Sequence, residues 1–245
     1  MLMKTESTHG ALGRKLSAVI ALSNAEIDCL EALQKKRKAL PEGTEFVRDG
    51  EPYGSSYVVK QGWAIRFKTL SDGRRQILNF VLPGDFIGLF SPLFEAADHS
   101  VAALTDLELH PVDPTFLVEA FADCPRLGAA IAWSAGRDEA ILSEQVVRIG
   151  RRSAYERIGH LIVELLHRLR LVGEAGQTSF ELPLTQEVLA DTLGLSIVHV
   201  NRTLRRLREN GLLNICGDRV VIGDLDALID VAEFSPHYLA AGPLP

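Results

Sequence analysis

The stretch from Leu184 to Leu213 places the tightest constraint on what this chain can fold into. Thr185 is positioned to cap one short helix and Ser196 a second, each hydroxyl accepting from a free first-turn amide. Gly194 separates them, because a tight turn between crossed helices tends to require the positive φ that glycine adopts freely. Ala190 is small enough for the two helices to approach closely. Val200, Leu204 and Leu207 fall at i, i+4 and i+7 and give the second helix a buried face. The opposite face carries Ile197, Val198, His199, Asn201, Arg202, Arg205 and Arg206. A helix N-terminus favours phosphate through its free amides and its dipole. Asn and Arg can each make two hydrogen bonds to a base edge, and Ile and Val suit thymine methyl groups. The pattern predicts a helix-turn-helix with a major-groove recognition helix. A generic pair of core helices would require neither the two caps nor the two-faced second helix.

Charge supports this reading only when it is localised. The chain of 245 residues has a net charge of −6, which as a whole argues against nucleic acid. Residues 145–219, however, hold 11 basic against 8 acidic side chains, and every basic one is Arg. A local Arg surplus can make a phosphate-binding face on an acidic protein. Residues 220–245 are acidic, with 4 carboxylates and no cation.

Hydrophobic residues at 47% and charged residues at 24% fit a globular protein and exclude disorder as the main state. Cys29, Cys124 and Cys216 are too few and too scattered for a disulfide framework or a tetrahedral zinc site. No secretory signal and no membrane-spanning stretch is evident, so the expected setting is the reducing cytoplasm, with no membrane partner.

Along the chain the texture changes three times. Leu12, Leu16, Val19 and Ile20 have helical spacing, and Ser23 with Glu26 can cap a second helix. From Lys38 to about Val112, turn signals such as Asp49-Gly50, Gln61-Gly62 and Asp72-Gly73 separate short runs, among them 56–59, 64–67 and 75–81. That spacing suggests a small antiparallel barrel or roll. A short helix at 115–123 precedes Pro125, which suits a first helical turn and opens a long helix to about Gly150. Its apolar positions Ile131, Ala135, Leu142 and Ile149 serve either packing on the chain's own roll or a seam with a second copy. Ser153 and Glu156 form a capping box after a break at 150–152. Residues 173–176 read as a loop, with the next element after Pro183. Past the recognition helix, 212–215 and 219–222 flank Gly217-Asp218 as a hairpin wing. Asp224–Glu233 suits a short acidic helix with Leu225, Leu228 and Ile229 inward, followed by a flexible Pro-containing end.

In this order of parts, over roughly residues 15–223, the chain resembles the Crp-Fnr superfamily of bacterial transcription regulators. The most specific pieces are Pro83-Gly84-Asp85-Phe86-Ile87-Gly88 and Leu193-Gly194-Leu195-Ser196 followed by Val200-Asn201-Arg202-Thr203-Leu204. The resemblance implies an α+β fold. Residues 1–124 would form an N-terminal antiparallel β-roll of jelly-roll type that senses an effector, and residues 125–151 a long dimerisation helix. Residues 152–223 would form a winged helix-turn-helix, and 224–245 a C-terminal extension. It further implies a homodimer on a pseudo-palindromic DNA operator, contacts with RNA polymerase, and no enzymatic activity.

Arg152, Thr185, Gln186, Ser196 and Arg206 are then the expected phosphate contacts, and His199, Asn201, Arg202 and Arg205 the base readers, beside Ile197 and Val198. Val198 replaces the Glu of the best-known branches, which alters the expected half-site. The effector pocket is expected around Gly84, Phe86, Gly88, Leu89, His99, Ser100, Leu142 and Ser143. The cyclic-AMP receptor branch has Glu where Leu89 stands, Arg-Ser where His99-Ser100 stands, and Thr-Ser where Leu142-Ser143 stands. Leu89 cannot accept a ribose hydroxyl proton and His99 is a poor substitute for an Arg fork, which argues against cyclic-nucleotide sensing. Residues 1–28 contain no cysteine, so the oxygen-sensing branch's iron–sulfur ligands are missing. Haem ligation by His99 or His110 has no support, Cys216 reads as a bystander thiol, and no metal or cofactor is assigned. The alternative function is a small-molecule-binding roll whose helical domain serves protein assembly rather than DNA reading. An enzyme on a cupin-like barrel lacks the His and carboxylate pattern it would need.

Overall fold

The computed structural model describes residues 10–240 and 242. Two short helices, α1 (Ala11–Ser17) and α2 (Asn24–Leu33), lead into the roll, α2 being closed by the Ser23–Glu26 capping box. Eight strands follow: β1 (Lys38–Leu40), β2 (Glu45–Val47), β3 (Ser56–Gln61), β4 (Ala64–Thr69), β5 (Arg75–Val81), β6 (Phe86–Ile87), β7 (Ser100–Ala103) and β8 (Leu107–Val112). They form two four-stranded antiparallel sheets, ordered β1-β8-β3-β6 and β2-β7-β4-β5. Val59, Ala64, Val81, Ile87, Val101 and Leu109 fill the space between the sheets. Bulges interrupt the β4–β5 and β3–β8 ladders.

Helix α3 (Phe116–Asp123) precedes α4 (Pro125–Arg151), which has Pro at its first turn as expected. Arg152 is extended and Ser153 begins α5 (Ala154–Leu171), with both hydrogen bonds of the capping box present. Strand β9 (Ser179–Glu181) then joins the wing, β10 (Leu213–Cys216) and β11 (Arg219–Ile222), in the order β10-β11-β9. This third strand was not foreseen. Three residues between polar turns carry too little periodicity to signal a strand, and Phe180 is held in place by its register with Val220. Between β9 and β10 lie α6 (Gln186–Leu193) and α7 (Ile197–Glu209), and α8 (Leu225–Ala232) closes the chain.

The flexible end expected after α8 is corrected as far as Ala240. Phe234 and Leu239 are buried, Phe234 and Tyr238 lie against the His160 ring, and the Tyr238 hydroxyl donates to Glu164 at 2.8 Å. Aromatic burial outweighs the disorder that Pro236 suggested. The remainder of that expectation, apart from residue 242, lies outside the described residues, as do residues 1–9 of the N-terminal part.

Two buried charge clusters tie the parts together. Asp85 accepts from Lys15 at 2.7 Å, Arg168 at 2.8 Å and the Leu82 amide at 2.9 Å. Burial alone would raise the Asp85 pKa, but the two cations outweigh it and hold the carboxyl well below its ordinary range. Further along α4, Arg148 donates to Glu164, to Gln145 at 2.5 Å and to His160 Nδ1 at 3.0 Å. One apolar core runs from Trp63, Ile65 and Phe80 of the roll into Ile158, Leu165 and Leu193 of the helical region without a gap.

Candidate nucleic-acid interface

The recognition surface begins with its caps. Thr185 accepts from the Val188 amide at 3.2 Å and Ser196 from the His199 amide at 3.3 Å. Gly194 ends α6 in the left-handed region at φ 62°, where an L side chain would be strained. Val200, Thr203 and Leu207 are buried under α7, and the Thr203 hydroxyl is spent on the His199 carbonyl at 2.8 Å. The outward face is polar and unspent. Asn201, Arg202, Arg205 and Arg206 are exposed, and His199 is half-buried. Val198 is 76% exposed and Ile197 is also exposed at the helix N-terminus, where first-turn amides have no intrahelical partner.

Thr185, Gln186, Asn201 and Arg205 line one groove of about 640 Å³ between α6, α7 and the wing. Arg208 and Asn214 share it, and sequence reasoning missed both. Arg208 was legible as the next turn below Arg205, whereas Asn214 enters only because the β10–β11 hairpin folds against α7.

One of the expected phosphate contacts is placed differently. Arg152 is mostly buried and pairs with Glu144 at 3.2 Å, so it belongs to the hinge rather than to an outer surface. Arg206 stays exposed, with its guanidinium carbon 4.8 Å from the centroid of the Tyr155 ring at the start of α5. The expected readers are oriented by docking of α6 on the roll. Arg75 of β5 bonds Asp191 at 2.9 Å, while Gln76 and Gln145 donate to the Thr192 carbonyl at 3.2 and 2.6 Å.

On α4, Ala135, Leu142 and Ile149 are half-buried along a strip that continues through exposed Val146. Ile131 is corrected: it is 0% exposed inside the chain's own core with Leu127 and Val112, leaving no side-chain surface for a second copy. Ile131 lies on nearly the same face of α4 as Val146, but close to the helix start, where α1 and α3 cover that face, and spacing alone did not show this cover.

The expected effector pocket divides. Phe86, Gly88, Leu89, His99 and Leu142 line a cavity of about 340 Å³ between the β6 loop and α4. Gly84, Ser100 and Ser143 lie outside it, a correction in each case. Gly84, at φ 84°, is where the backbone of α1 approaches, and an added Cβ would sit 2.9 Å from Ala11. Ser100 is spent inside the roll on Glu45 at 3.0 Å and on the Asp49 amide at 3.1 Å. Ser143 is exposed, rotated away from Leu142.

The cavity's chemistry comes from residues not singled out beforehand. Arg66 donates to the Phe86 carbonyl at 2.7 Å and to Asp138 at 3.2 Å, and Asp98 and Glu139 add negative charge. His99 bonds Asp98 at 2.6 Å, yet burial first and Arg66 second lower its pKa and keep it neutral. Among the described residues no group of three or more His, Cys, Asp and Glu could hold a metal ion. The Cys29 thiol is pushed up by burial and by Cys124, which disfavours a thiolate ligand. Among the described residues no helix is long and apolar enough to cross a membrane.

Comparison with known proteins agrees with this geometry. Residues 37–123 match the family model of the cyclic nucleotide-binding domain, and residues 156–231 that of the Crp-like helix-turn-helix domain. The transcriptional activatory protein AadR of Rhodopseudomonas palustris is 32% identical over 219 residues, covering 89% of each chain. The nitrogen fixation regulation protein FixK of Azorhizobium caulinodans is 31% identical, covering 78% of this chain and 79% of that one. Among solved structures, FixK2 of Bradyrhizobium japonicum superposes with a TM-score of 0.72 at 26% identity, covering 82% of this chain and 98% of that one. With both halves matched in order and a relative this similar along nearly its full length, the chain belongs to the Crp-Fnr family of helix-turn-helix transcription regulators.

Proposed function

We propose that this regulator binds a pseudo-palindromic operator as a homodimer, with α7 of each copy in a major groove and α4 forming the seam. The unspent outward face of α7 carries the reading: exposed Arg202, Arg205 and Asn201 stand beside exposed Val198 and Ile197 on a capped helix. Arg202 and Asn201 supply donors for base edges, Thr185, Gln186 and Ser196 position the phosphates, and Val198 packs on thymine methyls. The bound dimer would meet RNA polymerase, as the family resemblance implies.

The roll takes an effector other than cyclic AMP, or none. The lining of the β6–α4 cavity argues against a cyclic nucleotide: Arg66 is bonded to Asp138 and Phe86, Leu89 offers no acceptor, and Asp98 and Glu139 place negative charge beside a phosphate. An iron–sulfur cluster has no ligand set, since Cys29, Cys124 and Cys216 cannot supply four thiolates.

Selection of bound fragments from random duplex pools by the purified chain, with sedimentation of the complex, tests the reading. Enrichment of a two-fold-symmetric site bound by two copies supports it. Indifference to every duplex, with a stable self-assembly, would instead favour the helical domain as an assembly module.

A further inference from the structure

Arg137 lies on the inward side of α4 and is 6% exposed. Its Nε has no hydrogen-bond partner among the described residues. The carboxylates whose fields reach it are committed elsewhere: Asp138 to Arg66, Glu164 to Arg148, and Asp85 to Lys15 and Arg168. Its guanidinium carbon lies 5.6 Å from the Trp133 ring centroid, and that aromatic face is its main compensation. Burial and the neighbouring Arg168 guanidinium both push Arg137 below the ordinary arginine value. A buried cation with no counter-charge is costly, and buried charges are ordinarily paired.

The guanidinium borders a cavity of about 400 Å³ between the end of α1, α4, α5 and the segment after α8. Trp133, Leu171 and Leu239 give it apolar walls, and His167 and Arg170 also line it, the Arg170 Nε being engaged by the Gly176 carbonyl at 3.2 Å. No carboxylate among the described residues lines it. It is separate from the β6–α4 cavity, with which it shares no lining residue.

We propose that this cavity is a binding site for a small organic carboxylate, whose charged end pairs with the Arg137 fork and whose flat apolar body lies against Trp133. A planar guanidinium bonds a carboxylate through two parallel N–H donors, which suits Arg137. The apolar walls favour a ring or chain over a fully hydrated inorganic anion. Because the cavity joins α4, before the hinge, to α5, after it, the ligand spans the hinge. This site is independent of the reading of α7 given above.

Calorimetric titration of the full chain with benzoate tests the proposal, with benzamide as the uncharged isostere. Saturable benzoate binding, and benzamide weaker by ~10-fold or more, is expected from loss of a charge-assisted pair. Arg137→Met keeps the volume and removes the charge, and is expected to weaken benzoate by ~10-fold or more. Should the Met variant not fold, Arg137→Lys keeps the charge without the planar fork and is expected to bind benzoate several-fold more weakly. Absence of saturable benzoate binding, equal affinity for benzamide, or unchanged affinity in the variant that folds overturns the proposal.

Discussion

Arg168 of α5 donates to Asp85 of the roll at 2.8 Å, with both side chains buried and 83 residues apart in sequence. The same carboxylate takes Lys15 of α1 at 2.7 Å, so one side chain fastens three parts of the fold. Asp85→Asn keeps the shape and leaves two buried cations short of their counter-charge. Removing one partner of a buried pair typically costs ~3–5 kcal/mol, and a loss of that size in urea unfolding is expected. A loss below ~1 kcal/mol would mean that water satisfies the cations instead.

Arg202 is exposed and has no internal partner among the described residues, so its removal should leave the fold intact. Arg202→Ala is expected to weaken operator binding by ~1–3 kcal/mol and to relax preference at one base position per half-site. Gel shifts against a set of single-base operator variants measure this. Uniform weakening on every sequence would instead make Arg202 a phosphate clamp.

Val146 is 67% exposed on the strip of α4 that carries Leu142 and Ile149. Val146→Glu is expected to convert dimers to monomers in sedimentation while the circular dichroism stays unchanged. Operator affinity is expected to fall by ~100-fold or more, because linked half-sites gain that much by acting together. A dimer that survives the charge would place the seam on another surface.

His160 is buried beside Arg148, with its Nδ1 accepting from that guanidinium. Burial first, then Arg148 and Arg152, lower its pKa to about 2, so it stays neutral in the folded state. The unfolded chain regains an ordinary histidine value near ~6.5 and binds the proton first on acidification. Stability from this group is therefore complete above that value and declines by ~1.4 kcal/mol per pH unit below it. His160→Asn keeps an acceptor for Arg148 and is expected to flatten the decline in thermal unfolding between pH 7 and pH 5, a window chosen around the ~6.5 of free histidine. An unchanged slope would assign the acid sensitivity to other groups.

Much of this architecture was legible because its signals are local. The caps Ser23, Thr185, Ser196 and Ser153 each mark a helix start with residue types that satisfy a nearby amide, and all four were readable in the chain itself. Gly194 and Gly217 marked turns for the same reason. What escaped depends on distant partners. Strand β9 exists through its pairing with β11, and Phe234 through His160. Arg66 read only as part of the short run 64–67, and its role depends on Asp138 facing it from α4. Gly84, Ser100 and Ser143 were placed by position in a motif, which does not say which way a side chain points.

The uninterrupted apolar interior running from Trp63 and Phe80 to Leu193 sets what kind of signalling this molecule can perform. The DNA-reading half is not cargo on a loose tether that a message could swing at no cost. To reorient α7, greasy surface must slide against greasy surface, and such contacts settle into discrete alternatives rather than a continuum. The output is thus expected to be closer to a two-position toggle than to a dial.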